Sequence, residues 1–97
     1  MKKYYLLFIP LLINTLIANT ITVSGKVLVK NTQQPIANVN IFHNLGGTSS
    51  GEYGEFTIEL LNISDEITFS HIGYSEITLA ASNIGKIIYL NPISIPF

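Results

Sequence analysis

The side chains that could do chemistry in this sequence are few and scattered. It contains two histidines, His43 and His71, and no cysteine. A zinc site needs three or four converging ligands, and neither histidine has a carboxylate at a metal-binding spacing. We therefore interpret both histidines as structural or surface residues, and we predict no metal ion and no bound cofactor.

The acidic and hydroxyl side chains form no recognisable catalytic motif. Glu55 and Glu59 share a predicted strand face with Thr57, which is typical of a solvated sheet face rather than of the opposed carboxylates of a glycosidase. None of the candidate serine nucleophiles lies in the sequence surroundings of a nucleophile elbow, and the chain shows no order of residues typical of a catalytic triad. These serines are Ser24, Ser49, Ser50 and Ser70. The sequence predicts no catalytic residue, and we interpret the chain as non-enzymatic.

Two further local patterns carry weak signals. The glycines of 46–47 and 51–54 do not form a phosphate-binding loop, because no lysine follows them and no helix is predicted to begin there. Residues 62–64 match an N-glycosylation sequon, which matters only on a eukaryotic secretory route. We assign no function to either pattern.

Length and charge restrict the class of protein further. A chain of 97 residues allows one domain at most. After residue 19 it carries three lysines against six carboxylates, a net charge of 3 − 6 = −3, and it contains no arginine. A nucleic-acid-binding domain needs a basic surface to neutralise phosphates, so we exclude nucleic acid as a partner. The absence of cysteine also excludes a disulfide framework.

Residues 1–19 have the pattern of a signal peptide. Lys2 and Lys3 precede an uncharged run over residues 4–13, and the apolar stretch is shorter than the roughly 20 residues of a membrane span. Cleavage is expected after Ala18 or Asn19. A buried first helix or an uncleaved anchor is the alternative. With no cysteine after the apolar run, a bacterial lipoprotein anchor is excluded, so we expect a periplasmic, secreted or outer-membrane location.

The residues that follow must be positioned by short strands. Alternation is clearest at 55–60, and an extended strand with a bulge or bend at Gly25 is predicted near the start. The pair at 46–47 is expected to reverse the chain. Seven short strands without a sustained helical repeat predict two packed sheets over residues 20–91. Residues 92–97 resemble the start of a linker or a truncated end.

Three ordered motifs resemble the carboxypeptidase-regulatory-like family. Residues 23–27 and 34–41 are similar to its "SGxV…xPLxxVxV" opening. Residues 47–56 resemble "GTxTDxxGxF", and residues 67–74 resemble "LxFSYIGY". The resemblance covers essentially all of the chain after the predicted signal peptide.

The resemblance implies an all-β, seven-stranded, transthyretin-like two-sheet sandwich. Versions with an "IGY" motif are typical of the N-terminal extension of Bacteroidetes-type TonB-dependent outer-membrane receptors, which take up nutrients. It therefore implies a periplasmic interaction domain at the outer membrane, with its partner the plug and barrel of its own receptor or another envelope protein.

The sequence departs from the family pattern in two ways. The usual acidic residue of the second motif is replaced near Ser50, and no TonB box, plug or barrel follows. Any membrane association would thus depend on a barrel that this chain lacks. The chain is expected to be either a fragment of a receptor or a stand-alone copy.

Six residues of these motifs are interpreted as fold-determining rather than catalytic. Pro35 pre-forms a turn, Gly54 permits a tight reversal, and Gly73 is expected to end a strand and turn the Tyr74 ring over the sandwich edge. The full set is Gly25, Pro35, Gly54, Phe56, Gly73 and Tyr74.

Two alternatives remain open at this point. The first is a stand-alone secreted or surface module that binds glycan or another protein through the aromatic residues Tyr53, Tyr74 and Tyr89. The second is an accessory domain of a zinc peptidase, which would require a peptidase on the same polypeptide. Phe97 resembles the terminal aromatic of a membrane barrel, but Pro96 and the lack of a barrel argue against that role.

Overall fold

The computed structural model describes residues 20–93. This part of the chain contains seven strands and one short 3₁₀ helix, joined by turns and loops. The signal peptide predicted for residues 1–19 and the terminal Phe97 lie outside the described residues. The strands are β1 (Ile21–Val29), β2 (Asn40–His43), β3 (Gly46–Ser49), β4 (Glu55–Leu60), β5 (Glu66–His71), β6 (Tyr74–Ala80) and β7 (Ile87–Leu90), with the 3₁₀ turn at Ala81–Asn83.

The strands form two sheets that pack face to face. One sheet has the order β4-β1-β7, in which β1 runs antiparallel to β4 and parallel to β7. The other has the order β3-β2-β5-β6 and is antiparallel throughout. The predicted all-β, seven-stranded, two-sheet sandwich is confirmed. Within residues 20–93, no helix is both long and apolar enough to cross a membrane.

The core follows from alternation along each strand. In β4, the side chains of Phe56, Ile58 and Leu60 are buried while those between them are exposed, because successive side chains point to opposite faces. Phe56 of one sheet meets Phe69 of the other edge to face, with ring centroids 5.5 Å apart. This contact joins the two sheets at the centre of the sandwich.

β1 is continuous, and the bulge or bend predicted at Gly25 is wrong. The β1–β4 pairing keeps one register from Ile21 opposite Leu60 to Lys26 opposite Glu55. A side chain at position 25 would place its Cβ only 2.6 Å from the carbonyl oxygen of Lys86. The glycine therefore serves the close approach of the chain at Lys86 rather than a distortion of the strand.

The reversal predicted at Gly46 and Gly47 is also wrong. The chain turns at Asn44 and Leu45, and both glycines lie within β3. A Cβ at position 47 would come within 2.7 Å of the carbonyl oxygen of Ile41 in the neighbouring strand. The packing of β3 against β2, rather than a turn, requires a residue without a side chain there.

The β5–β6 hairpin differs from the sequence prediction at its turn. Residues 72–73 form the turn, and Tyr74 begins β6 instead of ending the preceding strand. Phe69 pairs with Ile77, and His71 pairs with Tyr74. These two pairs are two residues apart along β5 but three residues apart along β6, so β6 contains one extra residue, a bulge. The Tyr74 side chain is partly buried and packs against the core.

Candidate functional site

Each of the two histidines is the last residue of a strand, directly before a hairpin turn. Nδ1 of His71 accepts a hydrogen bond from the Gly73 N–H at 3.1 Å, and its ring meets that of Tyr74 edge to face at 5.3 Å. Nδ1 of His43 accepts a longer bond from the Leu45 N–H at 3.4 Å. Among residues 20–93, no three histidine or acidic side chains are grouped so that they could hold a metal ion. Both imidazoles therefore stabilise hairpin turns.

Ser50 has a role that the sequence did not indicate. Its side chain is only 3% exposed, its hydroxyl donates to the Ile36 carbonyl at 2.7 Å, and it accepts from the Val39 N–H at 2.9 Å. The hydroxyl thus satisfies two buried backbone groups of the segment before β2. No base approaches it in these contacts, so Ser50 ties two loops together. Of the other serines, Ser24 pairs with Thr57 across β1 and β4 at 3.1 Å.

The turn at residues 51–54 is capped from the strand that follows it. The Gly54 N–H donates to the Gly51 carbonyl at 2.9 Å, and one carboxylate oxygen of Glu55 accepts from the Tyr53 N–H at 3.0 Å. A Cβ at position 51 would lie 2.7 Å from that carboxylate. The Glu55 carboxylate therefore occupies the space beside Gly51, where a side chain would otherwise project.

Gly54 and Pro35 meet beside β1. Gly54 has φ +79°, and a Cβ there would lie 2.5 Å from the Val27 carbonyl oxygen. Pro35 forms an isolated bridge with Leu28, and the adjoining Ile36 N–H donates to that same Val27 carbonyl at 3.0 Å. The loop before β2 and the turn before β4 are thus both fastened to β1 at one point.

Gly73 and Tyr74 hold the end of the described chain. Tyr74 bridges Pro92, the Ser75 N–H donates to the Asn91 carbonyl at 2.8 Å, and the Ile93 N–H donates to the Gly73 carbonyl at 3.0 Å. We call residues 91–93 together with residues 73–75 the exit clamp. Ile72, beside this clamp, is 94% exposed. The clamp holds residues 91–93 against the start of β6.

The aromatic residues proposed for ligand binding do not share one face. Tyr53 and Tyr89 are exposed, in the turn before β4 and on the three-stranded sheet, while Tyr74 is partly buried. Phe42, which sequence analysis did not single out, is 43% exposed on the outer face of the four-stranded sheet. It borders a cleft of about 430 Å³ with Asn40 and Ser49. The alternation of β2 contained this signal, because its neighbour Ile41 is buried.

A second cleft opens at the side of the sandwich, between the edge of β3 and the edge of β4. We call it the lateral groove. It measures about 560 Å³ and is bordered by Gly46 and Gly47 on one side and by residues 57–61 on the other. Leu45 and Leu61 at its mouth are 69% and 52% exposed. Its carboxylate is Glu59, and no lysine lines it.

Comparison with known proteins gives one match. Residues 23–91 match the family model described as the CarboxypepD_reg-like domain. No curated protein and no solved structure matches the chain significantly. The matched range covers all seven strands except the first two residues of β1.

Proposed function

Because the chain belongs to the CarboxypepD_reg-like domain family, we propose that it is a non-enzymatic interaction domain on the periplasmic face of the outer membrane. We further propose that it is the N-terminal extension of a TonB-dependent receptor involved in nutrient uptake. Its partners would be the plug and barrel of that receptor or other envelope proteins. The signal-peptide pattern of residues 1–19 supports export.

The exit clamp is the observation that carries this proposal. A flexibly attached domain would need no ordered pairing beyond its last strand. Here the backbone bonds of Ser75 and Gly73 hold residues 91–93 against the start of β6. Such pairing gives the end of the sandwich an ordered position, which would suit a domain that acts beside a membrane channel.

The chemistry of the described residues supports a binding role. The hydroxyl of Ser50 is engaged with backbone groups, and the two imidazoles accept backbone bonds. None of these contacts pairs a nucleophile with a base, which covalent catalysis needs. What the surface offers instead is an open groove and exposed apolar side chains.

Fractionation of cells tests the receptor proposal. An antibody against residues 21–90 would be used to probe outer-membrane, periplasmic and medium fractions. We expect a band many-fold heavier than the 10.7 kDa chain in the outer membrane. A chain without residues 2–19 serves as the control for export and should stay in the cytoplasm. A band near or below 10.7 kDa in the periplasm or medium would contradict the receptor proposal.

The exposed ring of Phe42 favours a second candidate, a stand-alone glycan-binding module. Aromatic faces beside amide and hydroxyl groups suit sugars, and Phe42 lies beside Asn40 and Ser49 in the cleft described above. A glycan array with the full chain and with Phe42→Ser tests this. Binding that is lost in the variant supports it, and no binding to any glycan contradicts it.

A further inference from the structure

The outer edge of β4 presents unpaired backbone groups in an alternating pattern. The Val27 N–H donates a hydrogen bond to the Gly54 carbonyl. This bond shows which opposite residues of β1 and β4 are hydrogen-bonded to each other, because such pairs alternate along the ladder. By the antiparallel alternation, the N–H and C=O groups of Phe56, Ile58 and Leu60 then face β1. Those of Thr57 and Glu59 face away from it.

A hydrogen bond at the start of β4 agrees with this pattern. The Glu55 carbonyl, which has the same parity as Thr57, accepts the Gly51 N–H at 2.8 Å on the outer side of β4. That bond occupies the start of the edge. In the described part of the chain, no strand lies on the outer side of Thr57 and Glu59, and both residues border the lateral groove.

The other three edges are less suited to an added strand. β3 has four residues, two of them glycines, and β7 also has four. β6 is interrupted by its bulge, and its first residues are already paired in the exit clamp. β4 runs for six residues in one register. It is therefore the longest regular edge of residues 20–93.

The lateral groove has room for an extended chain. β3 and β4 are joined by residues 50–54 and separate from that turn, so the groove opens toward Leu45 and Leu61. Gly46 and Gly47 carry no side chains that could block it. An added strand would turn one set of side chains into the groove toward Leu45 and lay the other set beside Thr57 and Glu59.

Charge disfavours a second copy of this chain as the occupant when two β4 strands pair antiparallel about Thr57. If two β4 strands paired antiparallel about Thr57, Glu55 of each would lie directly opposite Glu59 of the other, since 55 and 59 are equidistant from 57. Two directly opposed like-charged pairs destabilise a sheet. Glu55 has Lys26 opposite it within the chain, but Glu59 faces Thr22 and has no cation across the ladder. The edge therefore favours a cationic strand.

We propose that β4 binds an extended segment of a partner protein, with alternating apolar and basic residues, as an added strand at the Thr57–Glu59 edge. Backbone bonds to Thr57 and Glu59 would supply affinity, and the two side-chain sets would supply selectivity. The inference deepens the proposed role as an interaction domain and rests on it only for the existence of a protein partner.

A peptide titration tests the inference. The probe is a fluorescein-labelled seven-residue peptide of alternating lysine and valine, added to the full chain at low salt and followed by anisotropy. We expect saturable binding, and at least tenfold weaker binding of the matching glutamate–valine peptide. Glu59→Lys should weaken binding of the lysine peptide about fivefold or more. The control Glu76→Lys makes the same charge change on β6 and should leave binding within twofold.

Methylated peptides separate strand addition from charge attraction. N-methylation of one alternate set of peptide amides should abolish binding, while methylation of the other set should be tolerated. Loss on methylating the lysine amides indicates antiparallel addition, and loss on methylating the valine amides indicates parallel addition. Tolerance of both sets, equal effects of the two charge variants, or no saturation would overturn the inference. Peptide binding is measured on the isolated chain, so its failure is distinct from a failure of the receptor proposal in fractionated cells.

Discussion

The hydroxyl of Ser50 gives the sharpest prediction for stability. Ser50→Ala removes the donor to the Ile36 carbonyl and the acceptor of the Val39 N–H, both in a buried setting. Leaving a buried donor unsatisfied costs about 1–3 kcal/mol, and a lost neutral hydrogen bond about 1 kcal/mol more. We expect the free energy of unfolding to fall by about 2–4 kcal/mol.

That loss is large relative to the stability of a domain of this size, which is on the order of 4–11 kcal/mol. The apparent melting temperature should fall by about 10–25 °C. Urea unfolding of the full chain, followed by far-UV circular dichroism, measures the change. Ser49→Ala, at the exposed neighbouring position, is the control and should change stability by less than about 0.5 kcal/mol. A loss below about 1 kcal/mol in Ser50→Ala would refute the assigned hydrogen bonds.

Three further predictions concern backbone approach and packing, each measured by the same urea unfolding. Gly54→Ala should cost about 2–4 kcal/mol, because its φ of +79° disfavours a side chain and the new Cβ would lie 2.5 Å from a backbone oxygen. Gly25→Ala should lower the free energy of unfolding by about 1–3 kcal/mol. The control Gly85→Ala should be nearly neutral, because a Cβ at position 85 would have no atom within 4 Å. Equal effects of the two substitutions would contradict the close approach at position 25. Phe69→Ala should cost about 3–5 kcal/mol and Phe42→Ala less than about 1 kcal/mol, and a reversed order would show that the faces of the four-stranded sheet are misassigned.

The buried faces could be predicted from the sequence wherever one side of a strand meets water. The alternation of residues 55–60 predicts which three side chains are buried, because a one-residue shift would place the glutamates in the core. The same reasoning applies to Phe69. The two-sheet sandwich could therefore be predicted from the alternation of apolar and polar residues and from the number of short strands.

The turn role of Gly54 could be predicted, but the role of Gly47 could not. Gly47 and Gly54 have the same composition signal, but Gly54 has a positive φ in a turn and Gly47 lies within β3 beside Ile41. In both cases a Cβ would meet a backbone carbonyl oxygen, that of Ile41 at Gly47 and that of Val27 at Gly54. Which carbonyl approaches a glycine depends on strand pairing and register, and the composition around the glycine does not specify either.

The candidate site shows the same limit. The burial of Ser50 depends on Ile36 and Val39, which lie 14 and 11 residues earlier in the chain. Serine is usually exposed, so its type alone predicts a surface position. The open edge likewise depends on sheet order, because the alternation of β4 is the same whether or not a strand lies beside it.

Amide hydrogen exchange of the free chain tests the central claim, an interaction sandwich with an open β4 edge, most directly. The account predicts slow exchange at Phe56, Ile58 and Leu60, whose N–H groups face β1, and fast exchange at Thr57 and Glu59 between them. Peptide binding should then slow Thr57 and Glu59. Equal protection of all five amides in the free chain would show that the edge is already covered and would contradict the account.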